Sequence, residues 1–350
     1  MKVLHVIASL EIGGAQRLLV DLLPLQATSD DVHLLVYERV HNDYEKALEQ
    51  AGINIICLNE CNFHNPRILF HLRKIFKDYD LVHAHLFPTI YWSSLAARGL
   101  KVKLVYTEHS TSNSRRNKCF FRPIERFMYS RYDKIISISQ QTQDALVSWL
   151  RQDDERFVVI NNGVDIEKFS SVKAPVIPNS LIMVSRFVSS KDQETVIRSL
   201  MYIDSNVTLY FVGDGENRAY CEELTRGLGV SDRVHFLGSR SDIPELVASS
   251  YIGIQSSNWE GFGLTAVELM AAGKPVLASD VKGLQQVVEG AGIIFSKGSA
   301  DELAQKITSL LENKQYYEKI ACACKQRAQR YDISIMAENY KSVYYELTKG

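Results

Sequence analysis

The segment Glu260-Gly-Phe-Gly-Leu-Thr-Ala-Val-Glu268, followed by Leu-Met-Ala-Ala-Gly273-Lys-Pro275, places a glycine loop and two carboxylates at one helix entrance. Gly261 and Gly263 let the backbone approach a ligand closely, because glycine has no Cβ. A helix is predicted from Gly263 through Ala272, with its free N–H groups and positive dipole end facing the loop. The amides suit a phosphate and the carboxylates suit hydroxyl groups, so the segment predicts a site for a polyhydroxylated anion. A solvated helix with an acidic first turn is the alternative.

The composition is that of a globular protein with more than one core. The chain has 350 residues, which exceeds the usual size of one domain and predicts two. Its 40 Lys and Arg residues balance 41 Asp and Glu residues, so no nucleic-acid partner is expected. The apolar run from Val3 to Leu10 is too short for a signal core or a membrane span, which predicts a cytoplasmic protein. The six cysteines, at positions 57, 61, 119, 221, 322 and 324, lack paired C-x-x-C spacing and are expected to be reduced thiols.

Short apolar runs alternate with amphipathic stretches along the chain, which is typical of βαβ units in a parallel sheet. In the first half, the predicted strands are Val3 to Ala8, Val32 to Tyr37, Ile53 to Leu58, Leu81 to His83, Val102 to Thr107, Lys134 to Ile138 and Phe157 to Ile160. The rhythm restarts with Leu181 to Val184, Val207 to Val212, Val234 to Leu237, Ile252 to Gln255, Pro275 to Ala278 and Gly292 to Phe295. This α/β pattern predicts two Rossmann-like domains, residues 1–168 and 169–331, facing each other across a cleft that is the expected active site.

A final helix, residues 332–350, follows the second domain. Met336, Tyr340, Val343, Tyr344 and Leu347 recur at helical spacing after the break near Asp332. This helix therefore carries an apolar stripe that requires a packing partner.

The order of the motifs resembles that of the family 4 retaining glycosyltransferases, which have the GT-B fold and use nucleotide-sugar donors. Glu260 and Glu268 stand in the two glutamate positions of the family's E-x7-E signature. Three further motifs fall in the family's order: Gly13-Gly14-Ala-Gln, Asn162-Gly163-Val164-Asp165 and Ser185-Arg186-Phe-Val-Ser-Ser-Lys191. The resemblance covers nearly the whole chain, and it implies that the terminal helix crosses back onto the first domain. Ser185 and Asp192 depart from the family, where glycine is usual.

The resemblance also implies a set of site residues. The expected catalytic residues are His109, Arg186, Lys191 and Glu260, and the expected donor-binding residues are Gly13, Gly14, Arg186, Lys191, Gly261, Phe262, Gly263, Leu264 and Glu268. Arg186 can hold two oxygens of a departing diphosphate and Lys191 can supply a third contact. Glu268 is expected to bind the ribose hydroxyls and Glu260 the sugar hydroxyls. A pair of solvated surface cations after a strand is the alternative for Arg186 and Lys191.

Two parts of the site are expected in the first domain. His109, in Thr107-Glu108-His109-Ser110, closes a strand and matches by position the family histidine that touches the donor sugar, with Glu108 as its orienting partner. Gly13-Gly14 resembles the family's flexible loop over the donor phosphate and the acceptor. Any one histidine is more often structural than catalytic, and a glycine pair after a strand is also ordinary turn chemistry.

The implied reaction is transfer of a hexose-type sugar from a nucleoside diphosphate to an acceptor hydroxyl, with retention at the anomeric carbon. No second carboxylate stands out as a nucleophile, which fits a same-face reaction in which the leaving phosphate takes the acceptor proton. No metal and no cofactor are expected, because Arg186, Lys191 and a helix terminus neutralise the phosphates. A UDP-sugar is the expected donor, with a GDP-sugar as its rival. Bacterial family members often build capsule, lipopolysaccharide or exopolysaccharide, so a lipid-linked acceptor at the inner face of the cell membrane is expected.

Two other function classes remain open from the sequence. A nucleotide-sugar epimerase would need its own acid and base carboxylates, and a non-catalytic sugar-nucleotide binder should lose the phosphate cations or one glutamate. Several motifs are interpreted as structural: Asp78-Tyr79-Asp80 precedes its strand, His83 and His85 have no third metal ligand, and Gly213-Asp214-Gly215 lacks the third glycine of a dinucleotide fingerprint.

A basic and aromatic segment, residues 113–131, follows His109. It carries Arg115, Arg116, Lys118, Arg122, Arg126 and Arg131 against the one acid Glu125, with Cys119, Phe120, Phe121, Phe127 and Met128 interleaved. Cations and aromatics on an exposed helix predict contact with an anionic membrane surface. The alternative is that Phe127 and Met128 pack this helix onto the sheet while the cations are solvated.

Overall fold

The computed structural model describes residues 1–59, 65–111, 113, 115–116 and 118–349. The chain forms two compact units, one comprising Met1–Gly163 with Ile333–Gly350 and the other Val164–Asp332. The five cysteines among the described residues, Cys57, Cys119, Cys221, Cys322 and Cys324, are free thiols. Cys61 lies outside the described residues.

The first unit is built on a parallel sheet with interleaved helices. Its elements are β1 (Lys2–Ile7), α1 (Gly14–Ala27), β2 (Asp31–Val36), α2 (Asp43–Gln50), β3 (Asn54–Cys57), α3 (Arg67–Phe76), β4 (Leu81–His85), α4 (Thr89–Ala96), β5 (Lys103–Glu108), α5 (Phe121–Tyr129), β6 (Lys134–Ser137), α6 (Gln140–Leu150) and β7 (Phe157–Val159). The seven strands lie in the order β3-β2-β1-β4-β5-β6-β7, so the sheet is doubly wound around β1 and β4. The strands fall within two residues of the predicted ones.

The central strands are buried, because helices cover both faces of the sheet. On β1, Val3, Leu4, Val6 and Ile7 are at most 1% exposed. β4 continues to His85, two residues past its predicted end, because its histidines are buried in the sheet instead of ending the apolar run. The parallel register places His5 of β1 opposite His83 of β4.

The second unit repeats the pattern with six parallel strands. Its elements are α7 (Ile166–Ser170), β8 (Ser180–Val184), α8 (Gln193–Ser199), β9 (Thr208–Val212), α9 (Arg218–Gly227), β10 (Val234–Phe236), α10 (Ile243–Ser249), β11 (Ile252–Gln255), α11 (Leu264–Ala271), β12 (Val276–Ser279), α12 (Lys282–Val288), β13 (Ile293–Phe295), α13 (Ala300–Glu312) and α14 (Lys314–Ala328). The strand order is β10-β9-β8-β11-β12-β13. Three short 3-10 turns, Leu200–Tyr202, Ser231–Arg233 and Gln329–Tyr331, complete it.

The division between the units lies five residues before the predicted boundary at 168/169. Val164 already belongs to the second unit, where its N–H donates to the carbonyl oxygen of Tyr331 at 2.8 Å. The α7 helix follows and packs on α10 and α11. Packing of α7 on the second unit therefore sets the boundary between the units at 163/164. The sequence shows only a change of composition that begins after α7.

The last helix, α15 (Ile333–Lys349), packs on the first unit, as the resemblance implied. Met336, Tyr340 and Tyr344 are buried in the same core as β1 and α1, with Val343 and Leu347 packed at its edge. Hydrogen bonds between Tyr344 Oη and His83 Nδ1 and between Tyr340 Oη and Thr107 Oγ1 join this helix to the sheet. Among the described residues, no helix combines the length and the apolar character needed to cross a bilayer.

Candidate active site

The glycine loop before α11 has the conformation that its sequence predicts. Gly263 is the N-cap of α11 and has a φ of +97°, a backbone conformation that favours glycine. A Cβ at this position would also lie 2.6 Å from Leu284 Cδ2. The predicted helix, Gly263 through Ala272, agrees with α11 to one residue at each end. The first N–H groups of α11 therefore face the loop, as an anion site requires.

A second glycine, which the sequence reasoning missed, supports this loop from α12. A Cβ on Gly283 would lie 2.1 Å from the carbonyl oxygen of Glu260, so only glycine lets α12 approach the loop backbone. Gln286 Nε2, one turn further along α12, donates to the carbonyl oxygen of Gly261 at 3.4 Å. The loop is therefore held between two helices, and no local motif marks Gly283 in the sequence.

Two of the predicted site residues form an ion pair within the second unit. Lys191 Nζ contacts Glu260 Oε2 and also donates to Ser257 Oγ at 3.4 Å. Both charged side chains are largely shielded, with 18% and 21% of their surface exposed. The pairing brings a cation that follows β8 to a carboxylate that follows β11, which are neighbouring strands.

The backbone around this ion pair connects the same two loops. Asn258 N donates to the carbonyl oxygen of Ser190 at 2.8 Å, and Asp192 N donates to that of Ser256 at 3.2 Å. Asp192, which departs from the family's glycine, caps α8 by accepting from Thr195 N at 3.1 Å and also accepts from Ser256 Oγ at 3.2 Å. Asp192, in place of glycine, therefore provides a side chain that links the loop before α8 to the loop after β11.

Arg186 lies on the surface of the same region. Its residue is exposed, and among the described residues its guanidinium has no hydrogen bond or ion pair. The adjacent Ser185, the other departure from the family, accepts a hydrogen bond from Gln193 Nε2 at 3.1 Å. Arg186 is thus an exposed cation on the same loop as Lys191, and its guanidinium is available to a ligand.

The Gly213-Asp214-Gly215 turn packs directly against the Arg186 segment. A Cβ on Gly213 would lie 2.1 Å from the Ser185 carbonyl oxygen, and one on Gly215 would lie 2.4 Å from that of Phe187. Both glycines have positive φ angles, +130° and +152°. This strand-to-helix turn, interpreted as structural from the sequence, supports the backbone on either side of Arg186.

The remaining donor-loop residues differ in accessibility. Glu268 and Leu264 are half-buried on α11. The Phe262 side chain is 2% exposed and packs edge-on against Tyr331 with ring centroids 5.4 Å apart. Phe262 is therefore a core residue by its side chain, and only its backbone is available for the predicted donor contact.

The predicted glycine loop of the first unit lies at the start of α1. Gly14 is the first residue of that helix, and Gly13 is its N-cap in an extended conformation. The Gly13 carbonyl oxygen accepts from Arg17 N at 2.9 Å, which begins the helical hydrogen bonds. The neighbouring Ile12 is 73% exposed, so an apolar side chain stands in solvent beside the glycine pair.

His109 is half-buried at the edge of a cluster of buried histidines in the first unit. Its Nε2 lies 3.2 Å from His85 Nδ1, and His85 Nε2 lies 2.9 Å from His5 Nδ1. Burial disfavours the charged imidazolium, so it lowers the pKa of His109 to about 4 and that of His5 to about 3. Desolvation also brings the pKa of His85 well below its usual value. These rings are therefore neutral at physiological pH.

Glu108 does not orient His109, contrary to the sequence-based expectation. Its Oε2 accepts hydrogen bonds of 2.6 Å from both Arg116 Nη2 and Tyr129 Oη, and its Oε1 accepts from Ser110 N at 3.2 Å. Successive residues of a strand point to opposite faces, which sends Glu108 towards α5 and leaves His85 as the partner of His109.

The expectation that His83 and His85 have no third ligand is wrong, because His5 on the neighbouring strand joins them. Nitrogen atoms of His5, His83 and His85 lie within 4.8 Å of one another. Hydrogen bonds nevertheless engage both nitrogens of His83, to Tyr344 Oη and to Thr107 Oγ1 at 2.7 Å. Both nitrogens of His85 are engaged by other imidazoles, so packing and hydrogen bonding account for the cluster. His5 could have been found from the sequence, because the first and fourth strands of a doubly wound sheet are neighbours and His5 and His83 lie on these strands.

Comparisons with known proteins agree with this architecture. The family model described as Glycosyltransferase Family 4 matches residues 12–168, and the model described as Glycosyl transferases group 1 matches residues 165–327. This chain belongs to the glycosyltransferases. The two parallel, helix-interleaved sheets of this glycosyltransferase are those of the GT-B fold.

Individual relatives cover most of this glycosyltransferase. The UDP-Gal:alpha-D-GlcNAc-diphosphoundecaprenol alpha-1,3-galactosyltransferase of Escherichia coli is 25% identical over 345 residues, 90% of this chain and 89% of the relative. The N,N'-diacetylbacillosaminyl-diphospho-undecaprenol alpha-1,3-N-acetylgalactosaminyltransferase of Campylobacter jejuni is 22% identical over 361 residues, 93% of this chain and 94% of the relative. This chain is also similar to the protein in the crystal structure of Anabaena Alr3699/HepE in complex with UDP and glucose. The two sequences are 25% identical, the TM-score is 0.85, and the match covers 98% of this chain and 99% of that chain.

In the basic segment of this glycosyltransferase, two of the cations predicted to face solvent are instead paired with buried acids. Glu125 is buried and accepts from Arg115 Nε at 2.8 Å and Trp149 Nε1 at 2.6 Å. Arg116 pairs with the buried Glu108, and its side chain is 7% exposed. Arg115 and Arg116 are therefore structural ion-pair partners and not part of a solvent-facing patch. Positions 114 and 117 of the segment lie outside the described residues.

The solvent-facing side of α5 is apolar. Phe120, Ile124 and Phe127 are 61%, 43% and 52% exposed, and their spacing places them on one helix face. The alternative interpretation of Phe127 as a core residue is therefore wrong, since the helix packs inward through Glu125 and Tyr129. Lys118 and Arg126 are exposed beside this face, which we call the α5 apolar stripe (Phe120, Ile124 and Phe127).

Proposed function

We propose that this protein is a retaining glycosyltransferase that transfers a hexose-type sugar from a nucleoside diphosphate to an acceptor hydroxyl. The observation that carries the proposal is the joining of the loops after β8 and β11, which places the Lys191–Glu260 ion pair next to the first turn of α11. Cationic and amide groups suit a diphosphate, and the carboxylate suits sugar hydroxyls. The exposed, uncommitted Arg186 lies on the same loop as Lys191.

The donor that we propose is a UDP-sugar. The Escherichia coli relative carries UDP-Gal in its name, and the Anabaena structures contain UDP, UDP with glucose, or UDP-glucose. Glu268 would accept hydrogen bonds from the ribose, and Glu260 would accept them from the sugar. The backbone of Gly261, Phe262, Gly263 and Leu264 would contact the donor, and a GDP-sugar is the rival to be tested.

In the proposed reaction, the bond between the anomeric carbon and the phosphate oxygen breaks while the acceptor oxygen bonds to the same face of that carbon. Arg186 and Lys191 stabilise the charge that develops on the diphosphate. The leaving phosphate oxygen takes the acceptor proton, so no protein nucleophile is required. Glu108 and Glu125 of the first unit are poor candidates for a nucleophile, because both carboxylates are buried in ion pairs with arginine. We propose that no metal or cofactor takes part, because the two cations supply the positive charge.

The proposed roles in the first unit follow the family resemblance. His109 would contact the donor sugar through Nδ1, because its Nε2 is engaged by His85. Gly13 and Gly14 would let the start of α1 move close to the donor and the acceptor. Both proposals agree with the positions of these residues at the carboxyl ends of β5 and β1.

We further propose a lipid-linked acceptor in bacterial surface polysaccharide synthesis, with the enzyme at the cytoplasmic face of the membrane. The names of both relatives above contain a diphosphoundecaprenol group, which is a lipid carrier. The α5 apolar stripe and its flanking cations suit an anionic lipid surface. This surface would bring the enzyme to the layer in which such an acceptor resides.

A donor panel tests the proposed function. Thermal unfolding is measured with UDP- and GDP-sugars, since a ligand that binds the native state raises its melting temperature. The stabilising donor is then incubated with a diphosphate-linked lipid acceptor, and NMR of the product reports the anomeric configuration. Retention in the transferred sugar supports the proposal. Inversion, formation of an epimer, or stabilisation without turnover over prolonged incubation would each contradict it, and loss of activity with EDTA would contradict metal independence.

A further inference from the structure

A row of imidazole rings leads from His109 into the first unit. The His109 ring is hydrogen-bonded to His85, and the His85 ring is hydrogen-bonded to His5, at 3.2 and 2.9 Å. His5 and His85 are 0% and 1% exposed, and their rings are stacked with an interplanar angle of 10°. At the far end, the buried amide of Gln26 on α1 is close enough to His5 to influence its pKa, and among the described residues neither that amide nor His5 Nε2 has a hydrogen bond of good geometry.

The hydrogen bonds between neutral imidazoles are coupled. Each neutral ring has one N–H donor and one acceptor nitrogen, so a ring that donates on one side must accept on the other. The bonds His109–His85 and His85–His5 therefore run either both towards His5 or both towards His109. In the first direction, His109 Nδ1 is an acceptor. In the second direction, His109 Nδ1 carries the proton and is a donor.

We propose that His85 and His5 are positioning residues that hold the His109 ring and select its tautomer, and so decide whether Nδ1 accepts from or donates to a sugar hydroxyl. The proposal rests on the proposed contact between His109 and the donor sugar. Gln26 stands at the far end of the row, where its amide oxygen can accept from a His5 N–H. The wild-type bonds are therefore proposed to run towards His5, with His109 Nδ1 as an acceptor. Neither His5 nor Gln26 has a hydrogen bond with His109 among those of the described residues, so they act only through the rings between.

The cluster contains its own control in His83. Its ring is as buried as those of His5 and His85, and its centroid lies 4.2 Å from that of His85. Its hydrogen bonds go to Thr107 and Tyr344 and not to the other histidines. Replacing His83 therefore disturbs packing in the same place without breaking the row.

The direction of the effect follows from the cost of an unpaired donor. In a His5→Phe variant, His85 Nε2 has no partner, and a buried orphan N–H is less tolerated than a buried orphan acceptor. His85 then carries its proton on Nδ1 and donates to His109 Nε2, which moves the His109 proton to Nδ1. A His5→Asn variant retains an amide near the position of His5 Nδ1 and should restore much of the original population.

The experiment is 15N NMR of the imidazole nitrogens in the full-length protein, in wild type and in the His5→Phe, His5→Asn, Gln26→Leu and His83→Phe variants. Circular dichroism shows which variants are folded. The expected result is a shift of His109 to the Nδ1–H tautomer in His5→Phe, a return in His5→Asn, and an unchanged His109 in His83→Phe. Gln26→Leu should cause the same shift as His5→Phe. It serves as the test variant if His5→Phe does not fold. An unchanged His109 in the folded His5→Phe or Gln26→Leu variant, or an equal change in His83→Phe, would overturn the proposal.

Kinetics with the stabilising donor provide the second readout. We expect His5→Phe to lower kcat by about tenfold or more while the KM for the donor stays near the wild-type value, because the donor still binds but meets the wrong tautomer. His109→Ala separates the two proposals. Unchanged turnover in His109→Ala would remove the proposed sugar contact, whereas the NMR result tests the row of rings independently of turnover.

Discussion

Lys191 and Glu260 form an ion pair that neutralises the cation assigned to the donor diphosphate. The two residues stand on loops that follow neighbouring parallel strands, and backbone hydrogen bonds hold these loops together. A diphosphate that binds Lys191 must therefore compete with Glu260. We infer that donor binding redistributes this ion pair, with Glu260 turning to the sugar hydroxyls as Lys191 turns to phosphate.

Replacing Arg186 or Lys191 with alanine should lower turnover far more than stability. Loss of one preorganised charge contact at a developing negative charge costs on the order of a hundredfold or more in rate. Arg186→Ala should leave the melting temperature unchanged, because its guanidinium has no partner among the described residues. Steady-state kinetics and thermal unfolding measure the two effects. Arg198→Ala, which removes an exposed pair with Glu194 on α8, is the matched control and should retain full turnover. Near-normal turnover in Lys191→Ala would refute the assignment of this residue.

The two glutamates of the E-x7-E signature should differ in what they bind. Glu268→Gln should weaken binding of UDP itself, because a donor amide replaces half of an acceptor pair at the ribose. Glu260→Gln should leave UDP affinity equal or higher, since Lys191 loses its competing carboxylate, and should impair turnover of the sugar donor. Isothermal titration with UDP and with the UDP-sugar distinguishes these effects. If both variants weaken UDP equally, the proposed division of roles is wrong.

Gly283→Ala should disturb the donor loop from outside it. The added Cβ would lie 2.1 Å from the Glu260 carbonyl oxygen, so the loop backbone or α12 must move. We expect a loss of about 1–3 kcal/mol in the free energy of unfolding and weaker UDP binding. Gly227→Ala is the control, because nothing lies within 4 Å of a Cβ at the end of α9. Urea unfolding that gives the same stability for both variants would contradict the steric argument.

The strands and the loop before α11 were predictable from the sequence because their causes are local. Apolar runs specify buried parallel strands, and Gly263 needs its positive φ within a single turn. The α15 helix was predictable from its own apolar stripe, with its partner supplied by the family resemblance. The roles of the site residues stay predictions, because no contact within the protein reports what a ligand will touch.

Contacts between distant segments account for what the sequence reasoning missed. Gly283 contacts Glu260 through space, and no pattern around it differs from an ordinary helix start. His5 joins His85 only because β1 and β4 are neighbours. Arg115 and Arg116 looked like a surface patch, since a count of charges cannot show that their acidic partners are buried.

The neutral histidines should make the protein sensitive to mild acid. The pKa of His5 falls to about 3 and that of His109 to about 4 on folding, from 6.5, because burial penalises the charged ring. The unfolded chain therefore binds more protons below pH 6.5, and stability present above that pH is lost as the pH falls towards 4. Each such histidine should lower the free energy of unfolding by at most about 1.4 kcal/mol per pH unit in this window. Urea unfolding across the window measures the slope. His83→Phe removes another histidine whose pKa burial lowers and should reduce the slope, and an unchanged slope would contradict this account.

The α5 apolar stripe should bind anionic lipid. Replacing Phe120, Ile124 and Phe127 with serine should abolish sedimentation with anionic liposomes at low salt, and replacing Lys118 and Arg126 should weaken it by roughly 1 kcal/mol per charge. Met201→Ser with Tyr202→Ser, exposed apolar residues of the second unit, is the control and should leave binding unchanged. Liposome binding that survives loss of the stripe would show that this surface is merely solvated.

The placement of α15 has a consequence for how the chain folds during synthesis. Met336, Tyr340 and Tyr344 complete the core of a unit whose other residues end at Gly163, whereas the second unit is one continuous segment. On a ribosome, the second unit can therefore fold before the first is whole. Until residue 349 emerges, the face of the first sheet that α15 covers stays bare, and His83 lacks its tyrosine partner. We expect the first unit to require protection by chaperones during translation, and truncations before Tyr340 to leave the second unit folded and the first prone to aggregation.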